Sequence, residues 1–113
     1  MPLERLDAHA LVNECCWCGK RPRPNREHFA LSGVARDEVD LSPYEGAGIR
    51  IPLETQTRRV DAIVPTATAP ARREGYNVIF VLCSRACGAA LRDALRKEIL
   101  LGQLLREVAD EAT

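Results

Sequence analysis

The stretch Val78-Ile79-Phe80-Val81-Leu82-Cys83-Ser84-Arg85-Ala86-Cys87-Gly88 changes period at its middle. Its first five residues are uninterrupted apolar and mostly β-branched or aromatic, which predicts a central strand. Ser84 then stands where an N-cap would accept a backbone N–H, and a helical pattern follows it. A strand running straight into a helix puts Cys83 at the strand end and Cys87 one helical turn later. Both sulfurs can then point the same way, at the positive end of the helix dipole, where the thiolate form is favoured.

Downstream, Leu91, Ala94, Leu95, Ile99, Leu101, Leu105, Val108 and Ala109 share one broad face. Arg92, Arg96, Gln103 and Asp110 lie opposite, so a long amphipathic C-terminal helix is expected over 84–110. Gly102 interrupts it at a cost of about 1 kcal/mol relative to Ala. Leu100 and Leu104, four apart and outside the main face, form a candidate interface for a second copy or another protein.

Upstream, Glu14-Cys15-Cys16-Trp17-Cys18-Gly19-Lys20 holds the remaining three cysteines. Cys15 and Cys18 enclose two residues and precede a glycine, so backbone amides can turn toward both sulfurs in a knuckle over 15–18. Together Cys15, Cys18, Cys83 and Cys87 make a tetrathiolate set. Four thiolates fill the shell of a tetrahedral metal and leave no position for a substrate water, which predicts one structural Zn2+ per chain. Buried unpaired thiols, a redox dithiol and an iron–sulfur site are the competing readings. Cys16 is the spare cysteine, facing core or solvent. His9 and His28 also suit zinc chemically, but four sulfurs already suffice, and surface or packing roles are expected for both.

The residues between the cysteine pairs read as an inserted β-rich region, 26–82. Phe29 to Val34 is a candidate strand. Asp37 to Gly48 is acidic and turn-rich, and its Asp37, Glu38 and Asp40 are expected to be a solvated surface rather than an acid–base site. Ile49 to Leu53 and Val60 to Val64 alternate as strands of a hairpin, with Pro52 favouring an edge. Pro70 suits the first position of a single helical turn that Gly75 ends. Ahead of the knuckle, Pro2 to Leu11 has the spacing of a short helix.

The knuckle and the Cys83-Ser84-Arg85-Ala86-Cys87 helix start resemble a treble-clef zinc finger, with the cysteine pattern of FCS-type and TRASH-like members. That resemblance implies a knuckle, a hairpin and a helix whose first turn supplies the last two ligands. Its ligand pairs fall on Cys15 with Cys18 and on Cys83 with Cys87. The expected architecture is thus α+β: a zinc site at one end of a small, mostly antiparallel sheet, with the long helix against it.

At 113 residues the chain has the length of one domain, 1–113. Sixteen basic residues balance sixteen acidic ones, so no global field draws it to nucleic acid or anionic lipid. The run Val78 to Cys83 is far shorter than the roughly 20 residues a spanning helix needs. Glu4, Arg5 and Asp7 fall where an export signal would be apolar, and clustered thiols suit a reducing compartment, so a cytoplasmic protein with no membrane role is expected. No activated nucleophile or open metal position points to an enzyme. The expected function is a non-enzymatic protein-interaction adaptor. One alternative is a nucleic-acid-binding regulator that uses Lys20, Arg21, Arg23 and Arg26 of the basic loop 20–26, helped by Arg58-Arg59, Arg72-Arg73 and Arg85. A metal or redox sensor is the other.

Overall fold

The computed structural model describes residues 3–21, 29–100 and 104–112. Six strands, β1 (Glu4–Leu6), β2 (Phe29–Ala35), β3 (Gly48–Leu53), β4 (Arg58–Ile63), β5 (Val78–Leu82) and β6 (Leu105–Val108), form one antiparallel sheet in the order β1-β3-β4-β5-β2-β6. Two four-residue helices, α1 (Ala8–Leu11) and α2 (Pro70–Arg73), accompany the 16-residue α3 (Arg85–Leu100). The architecture is α+β, as the alternation of patterns predicts.

The period-2 pattern sets which face is buried. In β5, Val78, Phe80 and Leu82 are buried while Ile79 and Val81 are half-buried. Leu31 of β2 sits opposite Phe80, and the hairpin pairs Ile51 with Val60 and Ile49 with Ala62. These side chains form one core with Leu91, Ala94 and Leu95 of α3. The strand expected to be central is central, between β4 and β2. Among the described residues β1 pairs only with Gly48 to Arg50 of β3, so no described strand residue of β1 is paired with Pro52.

Three expectations are corrected. Pro2 to Leu11 is not one helix: residues 4–6 pair with β3, and Asp7 then caps α1 by accepting from the backbone N–H of His9 at 3.0 Å. The C-terminal helix does not span 84–110: α3 covers Arg85–Leu100, and Leu105–Val108 is strand β6. The free edge of β2 offers the residues from Leu105 onward a backbone ladder in place of further helical turns. Arg36 N–H donates to Leu104 O and Ala109 N–H to Ser32 O, both at 2.8 Å. Gly102, the weak point of the helical pattern, falls at 101–103, outside the described residues, as do Leu101 and Gln103. Third, Leu104 is therefore not one helical turn beyond Leu100. It is half-buried against the core, whereas Leu100 is 86% exposed.

The outer edge carries its own protection. Gly33, Val34 and Ala35 pair with Val108, Glu107 and Leu105, leaving Arg106 as a bulge, and Arg106 and Glu107 are both exposed. A short, bulged, charged edge is a poor template for another strand. Among the described residues no helix is long and apolar enough to cross a membrane.

Candidate metal centre

The helix start behaves as its sequence predicts. The Ser84 hydroxyl accepts from the backbone N–H of Cys87 at 3.1 Å, the bond of an N-cap to the third helical residue. Ser84 O accepts from Gly88 N–H at 3.1 Å. One residue thus fixes the turn that carries Cys83 and Cys87.

The knuckle closes on itself and on the sheet. Cys15 N–H donates to Lys20 O, and Gly19 N–H donates to Cys15 O, each at 2.9 Å. Gly19 has φ +78°, the left-handed conformation that the tight return demands and that glycine adopts without steric cost. Cys16 N–H donates to Val81 O at 2.9 Å, so the knuckle lies along the end of β5, two residues before Cys83.

Cys15, Cys18, Cys83 and Cys87 come together, their four sulfurs all within 4.8 Å of one another. Cys18 Sγ lies 3.5 Å from Cys83 Sγ, and Cys83 Sγ lies 3.7 Å from Cys87 Sγ. A disulfide would need about 2.05 Å. A tetrahedral ion bonded to four thiolates at about 2.3 Å sets the sulfur–sulfur edge near 3.8 Å, close to the two separations found. The donor set fits a single metal ion. Cys15 is buried, Cys83 and Cys87 are half-buried and Cys18 is exposed, so the site sits at the surface with one edge toward solvent.

The thiols differ in their readiness to ionise. The backbone N–H of Lys20 beside Cys18 is the main cause drawing that thiol down to about 7. Burial pushes Cys87 up to about 12 and raises Cys83 as well. Desolvation penalises the charged thiolate, and a divalent cation at the centre of the four sulfurs opposes that penalty.

Cys16 is outside the cluster. Burial, then the neighbouring Cys15 and Asp61, raise its thiol far above the ordinary range. It lines a cavity of about 320 Å³ with Trp17, Arg58, Asp61 and Val81. The Arg58 guanidinium lies over the Trp17 ring, 3.8 Å from its centroid, and donates to Trp17 O. That stack ties the knuckle to the first residue of β4.

The other candidate residues scatter. Lys20 and Arg21 are exposed beyond the knuckle, with Arg21 4.0 Å from Glu14. Arg23, Arg26 and His28 lie outside the described residues. His9 is exposed on α1 and does not belong to the cysteine group. Asp37, Glu38 and Asp40 are exposed, with Glu38 paired to Arg36 and Asp40 accepting from Ser42, a solvated surface as expected.

One buried acidic side chain lies outside the expectations drawn from sequence. Glu98 of α3 is 3% exposed, and its Oε1 accepts from the Thr55 N–H at 2.9 Å and the Thr55 hydroxyl at 2.6 Å. Its spacing from Leu91, Ala94 and Leu95 places it on the apolar face, and that was the available signal. Comparison with protein-family models, curated proteins and solved structures yields no match to the chain.

Proposed function

We propose that the four sulfurs bind one structural Zn2+ in a treble-clef-like setting, and that the chain is a non-enzymatic interaction module working in the cytoplasm. The observation that carries the metal reading is the gathering of four sulfurs within 4.8 Å from segments 65 residues apart, with the two Cys83 separations, 3.5 and 3.7 Å, near the edge of a tetrathiolate. Four protein ligands fill the coordination shell. The ion's work is then to hold the knuckle against the strand–helix junction rather than to activate water.

The adaptor reading rests on what such a frame presents outward. Leu100 is 86% exposed on α3, an apolar group presented outward by a helix packed on the sheet. A protein partner or a second copy is the proposed ligand of this surface. The decisive experiment combines elemental analysis of protein purified without chelator with the solution mass of wild type and Leu100→Glu. About one zinc per chain supports the centre. A wild-type mass above that of one chain, or capture of a partner, that Leu100→Glu abolishes supports the interface. Protein that is metal-free as purified and whose structure, the knuckle included, is unchanged on adding zinc removes the first reading, and a mass and partner profile indifferent to Leu100 removes the second.

A further inference from the structure

At the end of β5 remote from the cysteines, three arginines from separate segments line one cavity of about 320 Å³. Arg36 follows β2, Arg72 belongs to α2 and Arg106 is the bulged residue of β6. Tyr76 and Asn77 line the same cavity, and Asp37 is its acidic residue. We propose that this cavity is a binding site for the phosphoryl group of a small molecule.

The chemistry of the lining selects the ligand. Asn77 Oδ1 accepts from Ala35 N–H at 2.9 Å, which leaves its Nδ2 as a donor. The lining residues Arg36, Arg72, Arg106, Asn77 and Tyr76 all carry hydrogen-bond donors. A carboxylate has two oxygens and is saturated by about one fork, whereas a phosphoryl dianion offers acceptors to several. The volume lies near the lower end of small-molecule sites, about 300–1,000 Å³.

Each arginine already has a carboxylate neighbour, and the geometry shows why this leaves the site open. Arg36 Nε lies 2.5 Å from Glu38, Arg72 Nη1 3.7 Å from Glu45 and Arg106 Nε 3.9 Å from Asp37. The nearest approach engages one nitrogen of each guanidinium, so other donors remain. Such solvent-exposed pairs are screened and entropically loose, so they compete weakly with a dianion. Glu38 and Glu45 are not in the cavity lining, where they can orient Arg36 and Arg72 without blocking them. The bulge places Arg106 outside the ladder, a common way for a sheet edge to re-aim a side chain.

The test is calorimetric titration of the full chain with pyrophosphate at low ionic strength. The expected Kd is at or below about 1 mM. Arg72→Ala/Arg106→Ala, checked for an unchanged melting curve, should weaken binding by at least about tenfold. Arg72→Lys, which keeps the charge and loses the fork, should fall between the double variant and wild type. Asp37→Asn should tighten binding by relieving repulsion, a change that a purely structural role would not produce. No binding of pyrophosphate, an affinity unchanged in the double variant, or binding of a single-stranded oligonucleotide without binding of pyrophosphate overturns the proposal.

Discussion

The backbone N–H of Cys16 donates to the carbonyl of Val81 at 2.9 Å, so the knuckle is hydrogen-bonded to β5 before any metal is considered. The bond explains how two cysteine pairs distant in sequence become neighbours. Val81 precedes Cys83 by two residues, and Cys16 lies between Cys15 and Cys18. Fixing those two backbones side by side sets the sulfur cluster to within a few ångströms. The sheet preorganises the site, and an ion need only complete it.

Removing the metal should therefore loosen the knuckle while leaving the sheet assembled. Chelation, or Cys83→Ser, is expected to destabilise the protein by at least about 3 kcal/mol, roughly 10 °C or more in Tm. Hydrogen exchange should accelerate at Cys16 and Gly19 and remain slow at Phe80, whose side chain is fully buried. Because zinc binds thiolates, protons compete with it: retention is complete at high pH and is lost as pH falls. Equal exchange protection at Cys16 with and without zinc would contradict this.

A second pH effect lies far from the metal. The Ser42 hydroxyl and then the Ser42 backbone N–H donate to the Asp40 carboxylate, at 2.7 and 3.0 Å, and hold its carboxyl below the usual aspartate value. A depressed folded-state value stabilises the fold above the unfolded value, and that contribution is lost as pH falls through the folded one. NMR titration should find Asp40 below about 3.9, and Ser42→Ala should move it back toward that ordinary value. An unmoved midpoint would remove the assignment.

The legible parts of the fold were those where local chemistry and tertiary packing agree. β5 was apolar because both its neighbours and α3 bury it, and Ser84 was readable as a cap because its hydroxyl answers a local need. Cys15, Cys18, Cys83 and Cys87 were readable by spacing alone. The tail failed because Leu105, Val108 and Ala109 fit a helical face in sequence, while the open edge of β2 decided otherwise. Arg36, Arg72 and Arg106 could not be grouped from sequence, since their meeting depends on the order β5-β2-β6 and on a bulge.

Glu98 and Thr55 should behave as one unit. Thr55→Ala removes the hydroxyl from a buried carboxyl whose Oε2 has no hydrogen-bond partner among the described residues, and should cost about 1–3 kcal/mol. Glu98→Ala removes the acceptor of both Thr55 donors. A double-mutant cycle by urea denaturation should give a coupling of roughly 0.5–3 kcal/mol. Simple additivity would show that the contact does not fasten the β3–β4 turn to α3.

Gly88→Ala separates helix propensity from tertiary fit. In a helix interior Ala is favoured over Gly by about 1 kcal/mol, so propensity alone predicts a more stable protein. The tertiary surroundings predict the reverse. A Cβ at Gly88 would stand 2.7 Å from Ala112 Cβ and 3.4 Å from Leu82 Cδ1. The first is a short side-chain stem with no rotamer to turn aside, and the second belongs to a fully buried core residue. Either the tail after β6 leaves the helix, or the helix start shifts and disturbs the Ser84 cap beside Cys87. Both routes cost stability, in the range of about 1–3 kcal/mol for overpacking. Truncation before Ala112 discriminates between them. It should restore Gly88→Ala to wild-type stability or better if the tail is what yields, and leave the loss intact if the helix start is displaced.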